Sequence, residues 1–496
     1  MDDTMNKKET HISISSTSSS SFSIPHFTTH HVEIMNERNE DILAQEKKIV
    51  RRLDWRIMPL FCVFYFADFL DRANIGNAAL AGIQTDLHLS ATQFGFGISA
   101  FYITYIIFEI PSNVILKKTR ASIWLSLIML LWGIATICLA FITDFTGLVI
   151  CRLILGAAQS GYIPAILYQM SLVYKPNEMS MRLAFLLTMS SLSGIVSGPL
   201  AYASSFLEGR LGLHGWQYLF ILEGVPTVLL SFLSFFYLFD NIDRVTWLTE
   251  EQKTLQHMRM AESSPPSVTP ITLKTFILAF SDWKLYMFSL VYCLNSICMT
   301  SLSIFLPTII KGFGYPTLTS QLLTAPPSVV NSVFILLGGY LTDRFDFRTP
   351  VLMTGFSIMA LAYTLMLVLN DAWALYGVLF IVEIGTGLIA TSVVGWSSVN
   401  FPDTTVRAVA VAAVVMIGNS GGVIASFLYP STNAPRHYFG NTFCLVCAVM
   451  AIGATGITGF LLYRANQRRA SLQMEVVDEK SGKHIENIDL NYRYHY

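Results

Sequence analysis

The chain has 496 residues, 53% of them hydrophobic and 13% charged, and a mean hydropathy of +0.52. Soluble domains carry about a quarter of charged residues, so this composition suits lipid rather than water as the main solvent. A formal net charge of −1 excludes a nucleic-acid binder built on a broad basic face, and seven cysteines scattered through mostly apolar runs exclude a disulfide framework.

Residues 1–53 are expected to form a disordered cytoplasmic tail: they are polar, with a serine cluster from Ser13 to Ser23 and no apolar stretch of signal-peptide length. The first apolar run begins near Ile57 and would serve as an uncleaved membrane anchor. A spanning helix needs about 20 mostly apolar residues. Read at that length, the sequence predicts spans near 56–80, 92–116, 122–142, 147–174, 181–206 and 216–239, and then near 285–310, 319–342, 349–369, 373–399, 404–429 and 439–463. The expected organisation is an N-terminal six-helix bundle over 54–239, a cytoplasmic linker over 240–284, a C-terminal six-helix bundle over 285–464 and a cytoplasmic tail over 465–496. Within the linker, Thr249 followed by Glu250, Glu251 and Gln252 reads as the start of a short surface helix, and Ser263-Ser264-Pro265-Pro266 as a breaker. Two sets of six helices around a charged loop are a common transporter plan, with the ligand site between the halves near the bilayer midplane.

Orientation follows from lysine and arginine. Lys47, Lys48, Arg51, Arg52, Lys117, Lys118, Arg120, Lys175, Arg182, Arg344, Arg348, Arg407, Arg464, Arg468 and Arg469 fall on one side. The other side offers little beyond Arg210, Lys311 and Arg436. Positive loops stay cytoplasmic, so both termini are expected inside.

A charge inside lipid costs roughly 2.5–3.5 kcal/mol even on lenient scales, so each one is a functional candidate. The first span holds Asp68, Asp71 and Arg72. Asp68 and Arg72, four apart, share a helix face and can pair. One reading is a cavity-facing guanidinium that forks onto a carboxylate substrate beside an aspartate that carries a proton. The other is a structural ion pair, or a charge at the extracellular helix end. Asn74, Gly76 and Asn77 follow, as at the end of a helix that lines a cavity.

In the fourth span Arg152, Gly156 and Gln159 fall to similar sides of the helix. Arg152 reads as a second anion contact or a tether, and Gln159 as a hydrogen-bonding group that cannot carry a proton. Glu109 beside Pro111 and Glu223 beside Gly224 and Pro226 read mainly as structural; Glu383 lies deeper in its span. In the eleventh span Asn419, inside Ile417-Gly418-Asn419-Ser420-Gly421-Gly422, is a candidate ligand contact in a segment that close packing alone would also explain. Between the eighth and ninth spans Asp343, Arg344 and Arg348 make a charge cluster suited to gating rather than to substrate. Cys444 and Cys447 form a C-x-x-C inside an apolar helix, where packing is the better reading because no further metal ligand accompanies them. No phosphate-cradling G-x-x-x-x-G-K-[ST], no H-E-x-x-H and no G-x-S-x-G occurs. No ATP-driven pump, enzyme, cofactor or metal site is therefore expected.

Several segments together resemble the major facilitator superfamily and, more narrowly, the fungal anion:cation symporters of the allantoate permease group. They include Arg52-Leu53-Asp54-Trp55-Arg56-Ile57, the run Phe69–Ala78, Phe108-Glu109-Ile110-Pro111-Ser112-Asn113 and Phe220-Ile221-Leu222-Glu223-Gly224. In the second half they are Phe305-Leu306-Pro307-Thr308-Ile309-Ile310, Gly418-Asn419 and Ala434-Pro435-Arg436-His437. The resemblance covers roughly 50–465, and Gly339–Arg348 alone indicates only the superfamily. It implies the major facilitator fold, an all-α polytopic membrane protein of 12 transmembrane helices in two halves. It also implies proton-linked import of a small organic anion such as nicotinate, pantothenate, biotin, allantoate or a dipeptide. It assigns Arg72 to the substrate anion, Asp71 to proton coupling and a role to Arg152. Where this group usually has a glutamate in the fourth span the chain has Gln159, so Asp71 couples alone, Asp68 supplies the second carboxylate, or coupling is lost. The expected partners are an anionic solute, protons and the bilayer; a monomer in the plasma membrane, or else the endoplasmic reticulum or vacuole, is the family-level expectation. A transporter-shaped nutrient receptor, an antiporter and a facilitator are the alternatives.

Overall fold

A computed structural model describes residues 29–263, 272–345, 348–478 and 493–495. The protein is helical throughout the described residues, and eleven of its helices are long and apolar enough to cross a membrane. They are α2 (Ala91–Leu116), α3 (Ala121–Leu139), α4 (Phe145–Ser171), α5 (Met181–Ser205), α6 (Gly215–Tyr237), α7 (Trp283–Gly312), α8 (Thr317–Thr342), α9 (Arg348–Val368), α10 (Ala372–Val399), α11 (Thr405–Ala425) and α12 (Tyr438–Ser471). The twelfth is the apolar stretch from Ile57 in the long helix α1 (Thr29–Leu80), set apart because Asp68, Asp71 and Arg72 lie in it. The fold is thus an all-α polytopic membrane architecture of twelve spans. Most expected boundaries fall within a few residues of those observed, because spanning length and local punctuation are both written in sequence: Ser90, Asp144, Asp282 and Asp371 each cap the helix that follows with a side-chain oxygen.

Of the expected N-terminal tail, residues 1–28 lie outside the described residues and 29–53 are helical, as the first turns of α1. Residues up to Arg51 form one unit; Arg52–Tyr496 form a second, to which all contacts below belong. In it α3 packs on α6 and α4, and α2 on α4. Likewise α9 packs on α10 and α12, α8 on α10, and α7 on α11 and α12, while α5 meets α8 and α2 meets α11 across the two sets. Small residues permit the tightest approaches. A Cβ on Gly76 would sit 1.8 Å from the Ile304 carbonyl oxygen of α7, and one on Gly156 would sit 2.1 Å from that of Phe101. The outer surface is apolar, with Ile107, Leu131, Leu229, Phe236, Val449 and Phe460 all exposed. In water that surface would aggregate; in a bilayer it is solvated by lipid.

The linker is more than a solvent loop. Its helix Glu250–Ser263 starts at Thr249, whose hydroxyl accepts from the Gln252 N–H at 3.4 Å while the Gln252 side chain returns a bond at 3.3 Å. The helix is docked. Gln256 donates to the Val173 carbonyl at 2.8 Å, and fully buried Arg259 bonds Gln256 and pairs with Glu178. The exposed His257 imidazole bonds Asp243 and holds that carboxyl below the usual carboxylate range. Residues 264–271, which include most of the Ser-Ser-Pro-Pro breaker, lie outside the described residues, and a second helix, Leu273–Ser281, precedes α7. The expected C-terminal tail also differs. The helix of α12 runs on to Asp478; 479–492 and 496 lie outside the described residues; and 493–495 are pinned to the flank of that helix and to the end of α10. There the Asn466 amide pairs with both the N–H and the C=O of Tyr494, each at 2.8 Å. Asn400 does the same for His495 at 3.1 and 3.0 Å, and the Trp396 indole donates to the His495 carbonyl at 2.9 Å.

Candidate functional site

A cavity of about 160 Å³ lies among α1, α2, α5, α7, α8 and α10. That is room for on the order of ten ordered waters, which suits a small solute. Its wall combines apolar side chains such as Phe69, Met299 and Leu306 with hydroxyls and amides: Ser190, Ser191, Ser193 and Ser197 of α5, Thr324, Ser328 and Asn331 of α8, and Asn77 of α1. Arg72 is on its wall. The guanidinium Nη2 donates to Asp68 Oδ2 at 3.0 Å, while Nε has no hydrogen-bond partner. Three rings collar it: Phe69 at 4.9 Å, Phe101 at 5.3 Å and Tyr105 at 4.9 Å from the guanidinium carbon. Cation–π contact offsets part of the cost of desolvating the charge and holds its plane in place. Asp68 is fully buried, so it acts on the cavity through Arg72.

Asp71 points elsewhere. Its Oδ2 accepts from the Trp132 indole at 2.9 Å and the Thr227 hydroxyl at 3.2 Å, which binds α1 to α3 and α6, and it is not on the cavity wall. Arg152 is buried within electrostatic reach of Asp71 and Tyr102, with Nε and Nη2 lacking hydrogen-bond partners, and it too is off the wall. Gln159 is fully buried with both amide atoms unpartnered, at the point where α4 breaks between Gln159 and Tyr162. Asn419 ends the first helical segment of α11 and does not line the cavity. Of the residues read as substrate contacts, the cavity therefore gathers Arg72 and leaves Arg152, Gln159 and Asn419 behind it. In the expected gate Arg344 is exposed and Arg348 lies beside Gly395; the Asp343 side chain lies outside the described residues.

The α5 serines and Asn331 went unread in sequence as site residues. A signal existed, since Ser190, Ser193 and Ser197 recur at helical spacing, as do Thr324, Ser328 and Asn331. Hydroxyls are cheap enough in a spanning helix to pass as filler, because each can bond its own helix: Ser190 donates to the Leu187 carbonyl at 2.7 Å and Ser193 to that of Ser190 at 2.6 Å. No group of three or more metal-ligating side chains occurs among the described residues.

Comparison with known proteins agrees with this architecture. The Major Facilitator Superfamily model matches residues 61–426 and 288–475. The chain belongs to that superfamily. It is 32% identical to an uncharacterized transporter of Schizosaccharomyces pombe, over 90% of this chain and 94% of that one. It is 30% identical to a protein of Agrobacterium vitis provisionally named a tartrate transporter, over 76% of this chain and 84% of that one. Among solved structures a D-xylose–proton symporter superposes with a TM-score of 0.64 at 15% identity, covering 80% of this chain and 97% of the other, a likeness of fold. The protein is a multi-pass membrane transporter of this superfamily; its relatives carry transporter names, not enzyme names.

Proposed function

We propose that the protein imports a small organic anion, with protons, by alternating access between an N-terminal bundle over 54–239 and a C-terminal bundle over 285–464. Arg72 supports this reading most directly. A guanidinium on a cavity wall, collared by rings and met by one carboxylate, is an anion receptor whose fork suits a carboxylate. Proton uptake falls to Asp71 and Asp68. Arg152, Gln159 and Asn419 would join the substrate as the halves rock, and the Asp343, Arg344 and Arg348 cluster would hold one closed state. One relative bears the name of tartrate, itself an organic anion. Nicotinate-like monocarboxylates are the first candidates, the plasma membrane the proposed site, both termini cytoplasmic and the working unit a monomer. The test is uptake of labelled carboxylates by cells that lack their own carrier, measured against external pH. Accumulation should rise as external pH falls and collapse with a protonophore.

A specific observation favours a second reading. Gln159 cannot titrate, and a carrier that has lost a coupling carboxylate works as a facilitator or antiporter. Uptake indifferent to pH and protonophore would select it. A nutrient receptor remains the third reading, and uptake that persists after both tails are deleted would count against it.

A further inference from the structure

The two helices of the linker face different surroundings. The first, Glu250–Ser263, docks on protein through Gln256 and Arg259 and turns Glu250, Glu251 and His257 to solvent. The second, Leu273–Ser281, has Thr275 and Ala279 as its buried residues and α11 and α7 as its neighbours. At about 100° per residue, Leu273, Phe276, Ile277 and Phe280 fall in one arc beside that buried pair. All four are exposed, Leu273 at 76% and Ile277 at 58%. Lys274 and Ser281, exposed as well, border the arc on its far side, with Leu278 beyond them, and Lys274 is the one charged residue of the helix.

The end of this helix is fixed to the span that follows. The Tyr286 hydroxyl of α7 donates to the Phe280 carbonyl at 2.8 Å, and the N–H of Asp282, the cap of α7, donates to that of Ala279 at 3.4 Å. The apolar arc therefore continues into the outer surface of α7, where Trp283, Tyr286 and Leu290 are exposed. Rings with a polar tip collect at the headgroup level of a bilayer. Trp283 and Tyr286 stand there at the start of α7, as exposed Trp55 and Tyr237 do in the first turns of the α1 span and at the end of α6. In water such an arc would be an association site. Continuous with a lipid-facing surface and level with an aromatic belt, it matches a helix lying in the membrane plane, its apolar side sunk about 5–10 Å into the headgroup boundary.

We propose that Leu273–Ser281 is a lipid-docking element, seated in the leaflet on the linker side by Leu273, Phe276, Ile277 and Phe280. Its partner is the bilayer itself, held by apolar area rather than by charge, because a single lysine adds little attraction to anionic headgroups. The helix fixes the depth of the start of α7 and of the part of α11 against which it packs. Since α11 also meets α2 across the two sets of helices, the anchor ties that seam to the membrane surface.

The experiment uses the wild-type, full-length protein in phosphatidylcholine nanodiscs and two labels mapped by mass spectrometry, each normalised to the same residue in the unfolded chain. An apolar carbene reagent reports acyl chains, and hydroxyl radical reports water. The carbene should mark Leu273, Phe276, Ile277 and Phe280 as strongly as Val449 and Phe460 of α12, and at least about fivefold more than exposed Met258 of the first linker helix. The radical should give the reverse order. Adding phosphatidylserine should leave both patterns unchanged. An Ile277→Asp, Phe280→Asp double variant should lose most of the carbene marking of Leu273 and Phe276 while Val449 and Phe460 keep theirs, which also shows that the fold persists. An arc reached by the radical and not by the carbene lies in water and overturns the proposal. An arc reached by neither is covered by protein, a second copy or another partner, and overturns it too. Marking that requires phosphatidylserine, or that survives the double change, overturns the apolar seating.

Discussion

Arg72 and the two aspartates near it divide the labour of one helix turn. Asp68 pairs with Arg72 whereas Asp71 accepts from Trp132 and Thr227, and each leaves its Oδ1 without a partner. Removing one member of a buried charge pair costs about 2–5 kcal/mol, or a factor of roughly 30 to several thousand in affinity. Arg72→Ala should therefore lower uptake by at least about 30-fold while surface expression persists, read as initial rates against a tagged-protein count. Wild-type affinity in that variant would remove the binding assignment. Asp68→Asn should flatten the pH dependence of uptake, since it deletes the carboxylate paired with Arg72; an unchanged pH profile would leave Asp71 to couple alone. The Asp68–Arg72 pair was legible because a spacing of four is local. The partners of Asp71 were not, because Trp132 and Thr227 lie 61 and 156 residues away and only packing brings them in.

Helices place these groups through a few close approaches. Gly76 lets α1 lie against the α7 backbone, and a methyl there would meet the Ile304 carbonyl at 1.8 Å. Such overpacking costs about 1–3 kcal/mol. Gly76→Ala should accordingly lower the thermal midpoint of the purified protein and slow uptake, and an unchanged midpoint would show that α1 can shift freely. At the other end of the chain, Asn466 and Asn400 each grip the backbone N–H and C=O of one residue of the C-terminal segment, with Trp396 assisting. Each net hydrogen bond contributes about 1 kcal/mol. An Asn400→Ala, Asn466→Ala double variant should expose that segment, raising its rate of carboxypeptidase trimming by about tenfold or more. Equal trimming would mean the grip is incidental. The sequence offered no sign of this docking, since a polar tail reads as tail until something pairs with its backbone.

Transport by two rocking sets of helices requires contacts across them to break. The Ser191 hydroxyl of α5 bonds the Asn331 side chain of α8 across that seam. A Ser191→Cys, Asn331→Cys pair, placed in a background freed of the seven native thiols, should cross-link on oxidation, arrest uptake and recover with reductant. Uptake that continues through the cross-link would argue against alternating access along this seam.

Spans, caps and membrane residence were already written in the chain, because the length of an apolar run and the residue at a helix start act through neighbours a few positions away. So was Arg72 as a candidate, since a charge in lipid announces its own cost. What the fold alone settled is which polar groups share one space. Arg152, Gln159 and Asn419 look as suitable as Arg72 in a linear reading, yet they lie off the wall that Arg72 and Glu383 occupy. The direction in which a side chain leaves a packed helix depends on the rotation of that helix against its neighbours, and contacts between distant residues fix that rotation.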